Sequence, residues 1–236
     1  MKKAALPPVI IGRKIIQIAE ADGLQKAFSA VWKYLDDGTT SSRKPFHYCS
    51  LATVENDIPQ QRTMVSQKVT ADDNENVHKK IRFHTDSRSP KVLHILDNGR
   101  LSKASCLFYE PLHKIQIRAT GFISLASRSD IRDTWEHNMS NLSKRCYFSP
   151  LPPSSKLNNY YDLKINHEKM VNLFDTKDDA ASSQSKYFNV LEFNVESLEF
   201  LVLGINGHAR ALQHFERVAD DTDNVQVLPS EHWLSP

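Results

Sequence analysis

The run Phe83-His84-Thr85-Asp86-Ser87-Arg88-Ser89-Pro90-Lys91 concentrates more chemistry than any other stretch of this 236-residue chain. Hydroxyls and cations stand there between a strand-like segment, Lys80 to Thr85, and a helix-like one, Lys91 to Asp97. A helix start offers unpaired backbone N–H groups and the positive end of the macrodipole. Thr85, Ser87 and Ser89 add hydroxyl donors, and Arg88 and Lys91 add positive charge, a combination that suits a phosphate. A plain helix cap accounts for the same residues, with Asp86 or Ser87 as N-cap and Pro90 in the first turn. Capping sequences are far commoner than phosphate sites, so the segment needs support from elsewhere in the chain.

The elements around it supply that support. Leu51-Ala52-Thr53-Val54-Glu55 and Pro59-Gln60-Gln61-Arg62-Thr63-Met64-Val65 read as two strands about a polar turn, with Arg62 early in the second. Downstream, Ile115-Gln116-Ile117-Arg118-Ala119-Thr120-Gly121 alternates apolar and polar residues as a half-buried strand does. In order, Leu-Ala-Thr-Val, Pro-x-x-Arg-Thr, Thr-Asp-x-Arg-Ser-x-Lys and a Gln shortly before Gly121 resemble the pyridoxamine 5'-phosphate oxidase-like family of FMN-binding split barrels. The resemblance runs from about Ala27 to Leu125. Trp32, on a helix before the first strand, is similar to one branch of the family. Leu198-Glu199-Phe200, His208-Ala209-Arg210 and Trp233-Leu234-Ser235-Pro236 look like a degenerate oxidase C-terminal segment.

The resemblance implies a fold that is mainly β with flanking helices, an FMN-binding split β-barrel, and a homodimer with the flavin site at its interface. It implies that Arg62 and Lys91 contact the FMN phosphate, with Ser89 and Thr85 nearby as hydroxyl donors. Pro90 stands where one phosphate-binding Arg is often found, and Arg88 is close enough to compensate. By the same resemblance Met64 and Val65 line the flavin, and His84 takes a position that is aromatic in many members. Gln116 bonds the ring or ribityl chain, and Arg210 approaches from the C-terminal segment. A flat ring and a dianionic phosphate call for an apolar slot, fixed donors and clustered cations. A donor or cation near the part of the ring that gathers charge on reduction would tune its redox behaviour.

Departures from the oxidase pattern fall on the substrate side. Gln67 stands where oxidases carry a Lys, with Lys68 beside it. Strand alternation keeps Lys68 from replacing it unless a bulge shifts the register. Trp135 takes the place of a Tyr, Met139 that of an Arg, and Asn206 that of another Arg. Lys68, Trp135 and His208 are the substrate candidates, and no catalytic residue is assigned. The function expected is an FMN-dependent oxidoreductase of the vitamin B6 oxidase type, passing hydride from a small-molecule substrate to FMN. The alternative is a flavin- or haem-binding protein on the same barrel without turnover.

A chain of 236 residues can bury a full core as one domain. Residues 1–22 read as a loosely held arm, in which Arg13 to Glu20 could form a helical turn or two. Residues 23–236 read as the domain, divergent from about residue 186. Apolar spacing predicts a helix from Leu24 to Leu35, stopped by Asp36-Asp37-Gly38. Arg100 to Tyr109 and Lys114 to Leu125 form a hairpin, Ser129 to His137 a helix capped by Ser129 or Asp130, and Tyr187 to Leu203 a closing strand. Loops are expected at Pro150 to Asn159 and Asp175 to Ser185.

A net charge of +2 with scattered basic residues argues against a nucleic-acid partner. Cys49, Cys106 and Cys146 are widely spaced and suggest free thiols in a reducing, cytoplasmic setting. The short N-terminal apolar run is broken by Pro7 and Pro8, and no later run is long enough to span a bilayer, so no membrane partner is expected. No dinucleotide fingerprint, P-loop, His-Glu-x-x-His, Cys-x-x-Cys or Gly-x-Ser-x-Gly is present, so no metal site is expected.

Overall fold

The computed structural model describes residues 10–70, 79–97, 99, 101–175, 185–219 and 225–236. In chain order the elements are α1 (Ile11–Asp22), α2 (Leu24–Thr39), β1 (Tyr48–Glu55), β2 (Ile58–Val65), β3 (Lys68–Thr70), β4 (Lys80–Asp86), α3 (Pro90–Asp97), β5 (Leu101–Glu110) and β6 (Ile115–Leu125). There follow α4 (Arg128–His137), α5 (Asn141–Arg145), a 3-10 turn at Cys146–Phe148, α6 (Tyr160–Asp175), β7 (Phe188–Val202), β8 (Ala209–Ala219) and β9 (Val225–Leu234). The fold is mainly antiparallel β with flanking helices. Hydrogen bonding gives the strand order β2-β1-β5-β6-β7-β4-β3, with β8 on β7 and β9 on β8. The chain divides into two compact units. The first comprises Met1–Arg82, Lys103–Phe122 and Phe193–Pro236, and the second Phe83–Ser102 and Ile123–Glu192.

In the first unit α2 carries the apolar stripe Ala27, Phe28, Val31, Trp32 and Leu35, all buried. Phe28 packs on Phe200 at a centroid distance of 5.1 Å, and the Trp32 indole Nε1 donates to Gln213 Oε1 at 2.9 Å. The helix does not stop at Asp36-Asp37-Gly38 but runs to Thr39. Gly38 is required within it because a Cβ there would lie 2.7 Å from the Pro45 carbonyl oxygen. The Thr39 and Thr40 hydroxyls donate to the carbonyls of Asp36 and Asp37, satisfying acceptors of the last turn.

The segment expected as an arm contains the helix α1, longer than a turn or two, with Ile11, Ile15 and Ala19 buried at four-residue spacing. Gly12 N–H donates to the His113 carbonyl at 3.1 Å. Residues 1–9 of that segment lie outside the described residues. Strands β1 and β2 form a hairpin with Leu51 opposite Arg62. Its turn, Asn56 and Asp57, has positive φ at both residues, as a two-residue hairpin requires. The chain is not closed by β7. Two further strands follow, with Arg210 of β8 opposite Leu201 of β7 and Leu234 of β9.

The second unit is built on Trp135, Phe188, Val190 and Ile131, with Tyr147 and Phe148 packed against them. Helix α4 begins one residue earlier than expected, and its cap is Ser127, whose Oγ accepts the Asp130 N–H. Helix α6 fully buries no residue, and Met170, Val171 and Phe174 are half-buried, with Phe174 against Phe148 at 5.3 Å. Its start is capped: Asn159 Oδ1 accepts the N–H groups of Tyr161 and Asp162, and the Asp162 carboxylate accepts those of Asn158 and Asn159. Of the loop expected from Asp175 to Ser185, residues 176–184 lie outside the described residues.

Candidate functional site

The expected cofactor residues are divided between the units. In the second unit, the corner between β4 and α3 brings Thr85, Ser89 and Lys91 together. Thr85 Oγ1 lies 3.3 Å from Ser89 Oγ, and Lys91 Nζ donates to the same Ser89 Oγ at 3.2 Å. Both hydroxyl residues are buried, and Lys91 is half-buried. Neither Asp86 nor Ser87 immediately precedes the helix. That residue is Ser89, whose carbonyl accepts the N–H groups of Val92 and Leu93.

Arg88 is turned away from the role of a free phosphate ligand. Its Nε and Nη2 donate to the two Asp86 carboxylate oxygens at 3.0 and 2.7 Å, and Nη2 also reaches the Ser149 carbonyl at 3.0 Å. The guanidinium lies 3.5 Å over the Tyr187 ring. The hydrogen bonds that Arg88 donates to Asp86 raise the arginine's pKa, against the opposing effect of burial.

His84 packs edge-on against Phe188 at 5.3 Å, and burial lowers its pKa to about 4, so it is neutral near pH 7. Trp135, expected as a substrate contact, is instead a fully buried core residue between Phe188, Tyr147 and Phe148. It therefore presents no surface to a substrate. Met139, at the position of an expected Arg, packs partly buried against the same core.

In the first unit Arg62 is half-buried on β2. Its Nη1 donates to Thr53 Oγ1 at 2.8 Å and to the Leu51 carbonyl at 3.3 Å. Burial lowers its pKa, partly offset by the charge of Glu55. Met64 shares the face of Arg62, whereas Val65 points to the opposite face by strand alternation. A single strand surface therefore cannot present both. Between β2 and β3 the ladder is interrupted: Ser66 N–H turns to the His47 carbonyl and Gln67 N–H to that of Arg82. Alternation does not carry through this break, and Gln67 and Lys68 are both exposed.

Gln116 is half-buried on β6, between the buried Ile115 and Ile117. Arg210 is engaged by Glu199, whose Oε2 accepts from Arg210 Nη2 and from Arg118 Nη2, each at 2.7 Å. The Arg210 Nε is buried without a partner among the described residues. Glu199 and Arg118 were not singled out by the sequence. The available signal was an acid inside an otherwise apolar run, Leu198 to Val202, since a buried carboxylate must be paired. His208 is exposed, and its Nδ1 accepts the Gly204 N–H at 3.3 Å.

The Gly121 that ends the Gln-to-Gly pattern has a packing reason. An added Cβ would overlap the Asn194 carbonyl oxygen of β7. Among the described residues no three His, Cys, Asp or Glu side chains are grouped to hold a metal, and no helix is long and apolar enough to cross a membrane.

Residues 29–127 match the family described as pyridoxamine 5'-phosphate oxidase, FMN-binding domain. A search of the curated proteins finds no match. Among solved structures, a pyridoxamine 5'-phosphate oxidase-related, FMN binding protein from Nostoc punctiforme is similar at a TM-score of 0.61 and 20% identity, over 88% of this chain and 95% of that one. PhzG from Burkholderia lata, solved in complex with tetrahydrophenazine-1-carboxylic acid, is similar at a TM-score of 0.57 and 18% identity, over 99% of this chain and 98% of that one. At these identities the likeness is one of fold.

Proposed function

We propose, from the premise that residues 29–127 are a pyridoxamine 5'-phosphate oxidase-like FMN-binding domain, that the protein binds FMN and acts as an FMN-dependent oxidoreductase. The observation that carries this reading is the cluster of Thr85, Ser89 and Lys91 at the start of α3, inside the matched segment. Two hydroxyls 3.3 Å apart, with an ammonium group 3.2 Å from one of them, form a donor set suited to a phosphate. Arg62 is the second cation assigned to that phosphate. Its assignment rests on the ordered sequence pattern.

Bound FMN supplies hydride acceptance from a small-molecule substrate and reoxidation by oxygen or another acceptor. The chain's own part is to hold the phosphate, to offer Met64 and the amide of Gln116 to the flavin, and to keep His84 neutral beside the phosphate corner. Arg210 acts in this reading as a cation positioned by Glu199. We place the active form as a homodimer with the flavin at its interface. The buried free thiols Cys49 and Cys106 support a reducing, cytoplasmic setting.

The first test is the visible spectrum of purified protein after gel filtration, with and without added FMN. Retained flavin bands support the reading, and a colourless protein that ignores FMN ends it. The second is anaerobic addition of pyridoxamine 5'-phosphate, where bleaching of the flavin marks turnover of a B6 substrate. Cofactor binding without that turnover is the second reading, and the full burial of Trp135 favours it because one substrate candidate is then a core residue.

A further inference from the structure

A cleft in the second unit, between the loop at residues 150–158 and helix α6, contains none of the residues assigned to flavin. It encloses about 340 Å³, which is within the range of small-molecule sites. Ile165, Asn166 and Lys169 stand on one stripe of α6 by helical spacing, and the loop faces them with Leu151, Lys156 and Leu157. Leu151, Leu157 and Ile165 form apolar walls. Lys156 and Lys169 have no ionic partner among the described residues. The carboxylate of Asp162, also in the lining, accepts the backbone N–H groups of Asn158 and Asn159.

Asn166 joins the two walls of the cleft. Its Nδ2 donates to Ser149 Oγ at 3.1 Å, and that hydroxyl donates in turn to the Leu151 carbonyl at 2.9 Å. The hydroxyl proton is thereby committed, which fixes the amide orientation and leaves Asn166 Oδ1 as a buried acceptor with no partner. That atom is closed to solvent and does not face an occupant; the part of Asn166 is to tie α6 to the loop through Ser149 and so hold the cleft's shape.

We propose that this cleft binds a small organic anion with an apolar body. The anionic group meets Lys156 and Lys169, and the body lies against Leu151, Leu157 and Ile165. The site is independent of the flavin assignment, and its occupant is a separate molecule from FMN.

Anilinonaphthalene sulfonate carries both features and becomes fluorescent in apolar surroundings, so it serves as the probe. It is titrated into the full chain as purified and again with added FMN. Saturable binding of one probe per chain is expected, unaffected by FMN. The double variant Lys156→Gln with Lys169→Gln should raise Kd about tenfold or more. Lys164→Gln, off this stripe of α6, should leave it unchanged. Equal Kd in the wild type and the double variant, or the absence of saturable binding, overturns the proposal. Displacement of the probe by FMN overturns the separate site. A chain that binds the probe but no FMN defeats the flavin reading and leaves this one standing.

Discussion

Arg88 and Asp86 hold one another through paired hydrogen bonds of 3.0 and 2.7 Å, and the same carboxylate accepts the Arg88 backbone N–H at 2.8 Å. This closes the corner between β4 and α3 from within. The guanidinium extends the closure to the Ser149 carbonyl and the Tyr187 ring. Arg88→Ala is therefore expected to lower stability by about 2 kcal/mol through loss of a charge-assisted pair and exposure of an unpaired, nearly buried acid. Urea unfolding measures this. Unchanged stability with a large loss of FMN affinity would instead make Arg88 a direct ligand.

Lys91→Ala and Arg62→Ala are each expected to weaken FMN binding by a few kcal/mol, about the size of a charge-assisted contact. Flavin fluorescence titration reads the effect. Arg62→Lys should recover only part of it, because an ammonium group cannot offer a phosphate the paired N–H groups of a guanidinium. Wild-type affinity in both alanine variants would remove these residues from the site.

His84 makes stability depend on pH. Burial lowers its pKa from 6.5 to about 4, so the native chain keeps it neutral while the unfolded chain takes up a proton first. The stability it carries is fully present above about pH 6.5 and is lost as pH falls toward about 4, on the order of 3 kcal/mol. His84→Phe keeps a ring against Phe188 and should flatten this part of the profile. Denaturant unfolding at neutral and mildly acidic pH compares the two proteins, and parallel profiles would show that His84 is not the group responsible.

Gly121→Ala is expected to cost about 3 kcal/mol or more, since its methyl group would overlap the Asn194 carbonyl and force β6 and β7 apart. Thermal unfolding followed by circular dichroism is the direct measure. A variant as stable as the wild type would mean that the strands can separate there at little cost.

What the sequence made legible was local. The hairpin of β1 and β2 and the strand-to-helix corner could be read because alternation, turn residues and hydroxyl clusters act over a few positions. The direction of Arg88 could not, since Asp86 two residues away and an external phosphate are equally good partners on paper. Glu199 joins Arg118 and Arg210, separated from it by 81 and 11 residues. That pairing depends on strand neighbours that no local pattern announces. Helix α6 is illegible for the opposite reason, because its capping residues and the contact of Phe174 with Phe148 hold it while no fully buried stripe imposes a period. Trp135 was read as a ligand contact by position, and only the packing around Phe188 reveals it as core.

Trp32 and Trp135 are both buried, one in each unit, yet their indole N–H groups differ. That of Trp32 is bound to Gln213, and that of Trp135 has no hydrogen-bond acceptor among the described residues. Beside the exposed Trp233, the chain thus contains two buried optical reporters in unlike surroundings. An indole with a polar partner emits further to the red than one enclosed by hydrocarbon and aromatic rings, so replacing each tryptophan in turn by phenylalanine should separate their contributions. Loss of the bluer emission before the redder one during unfolding would mark the second unit as the first to open.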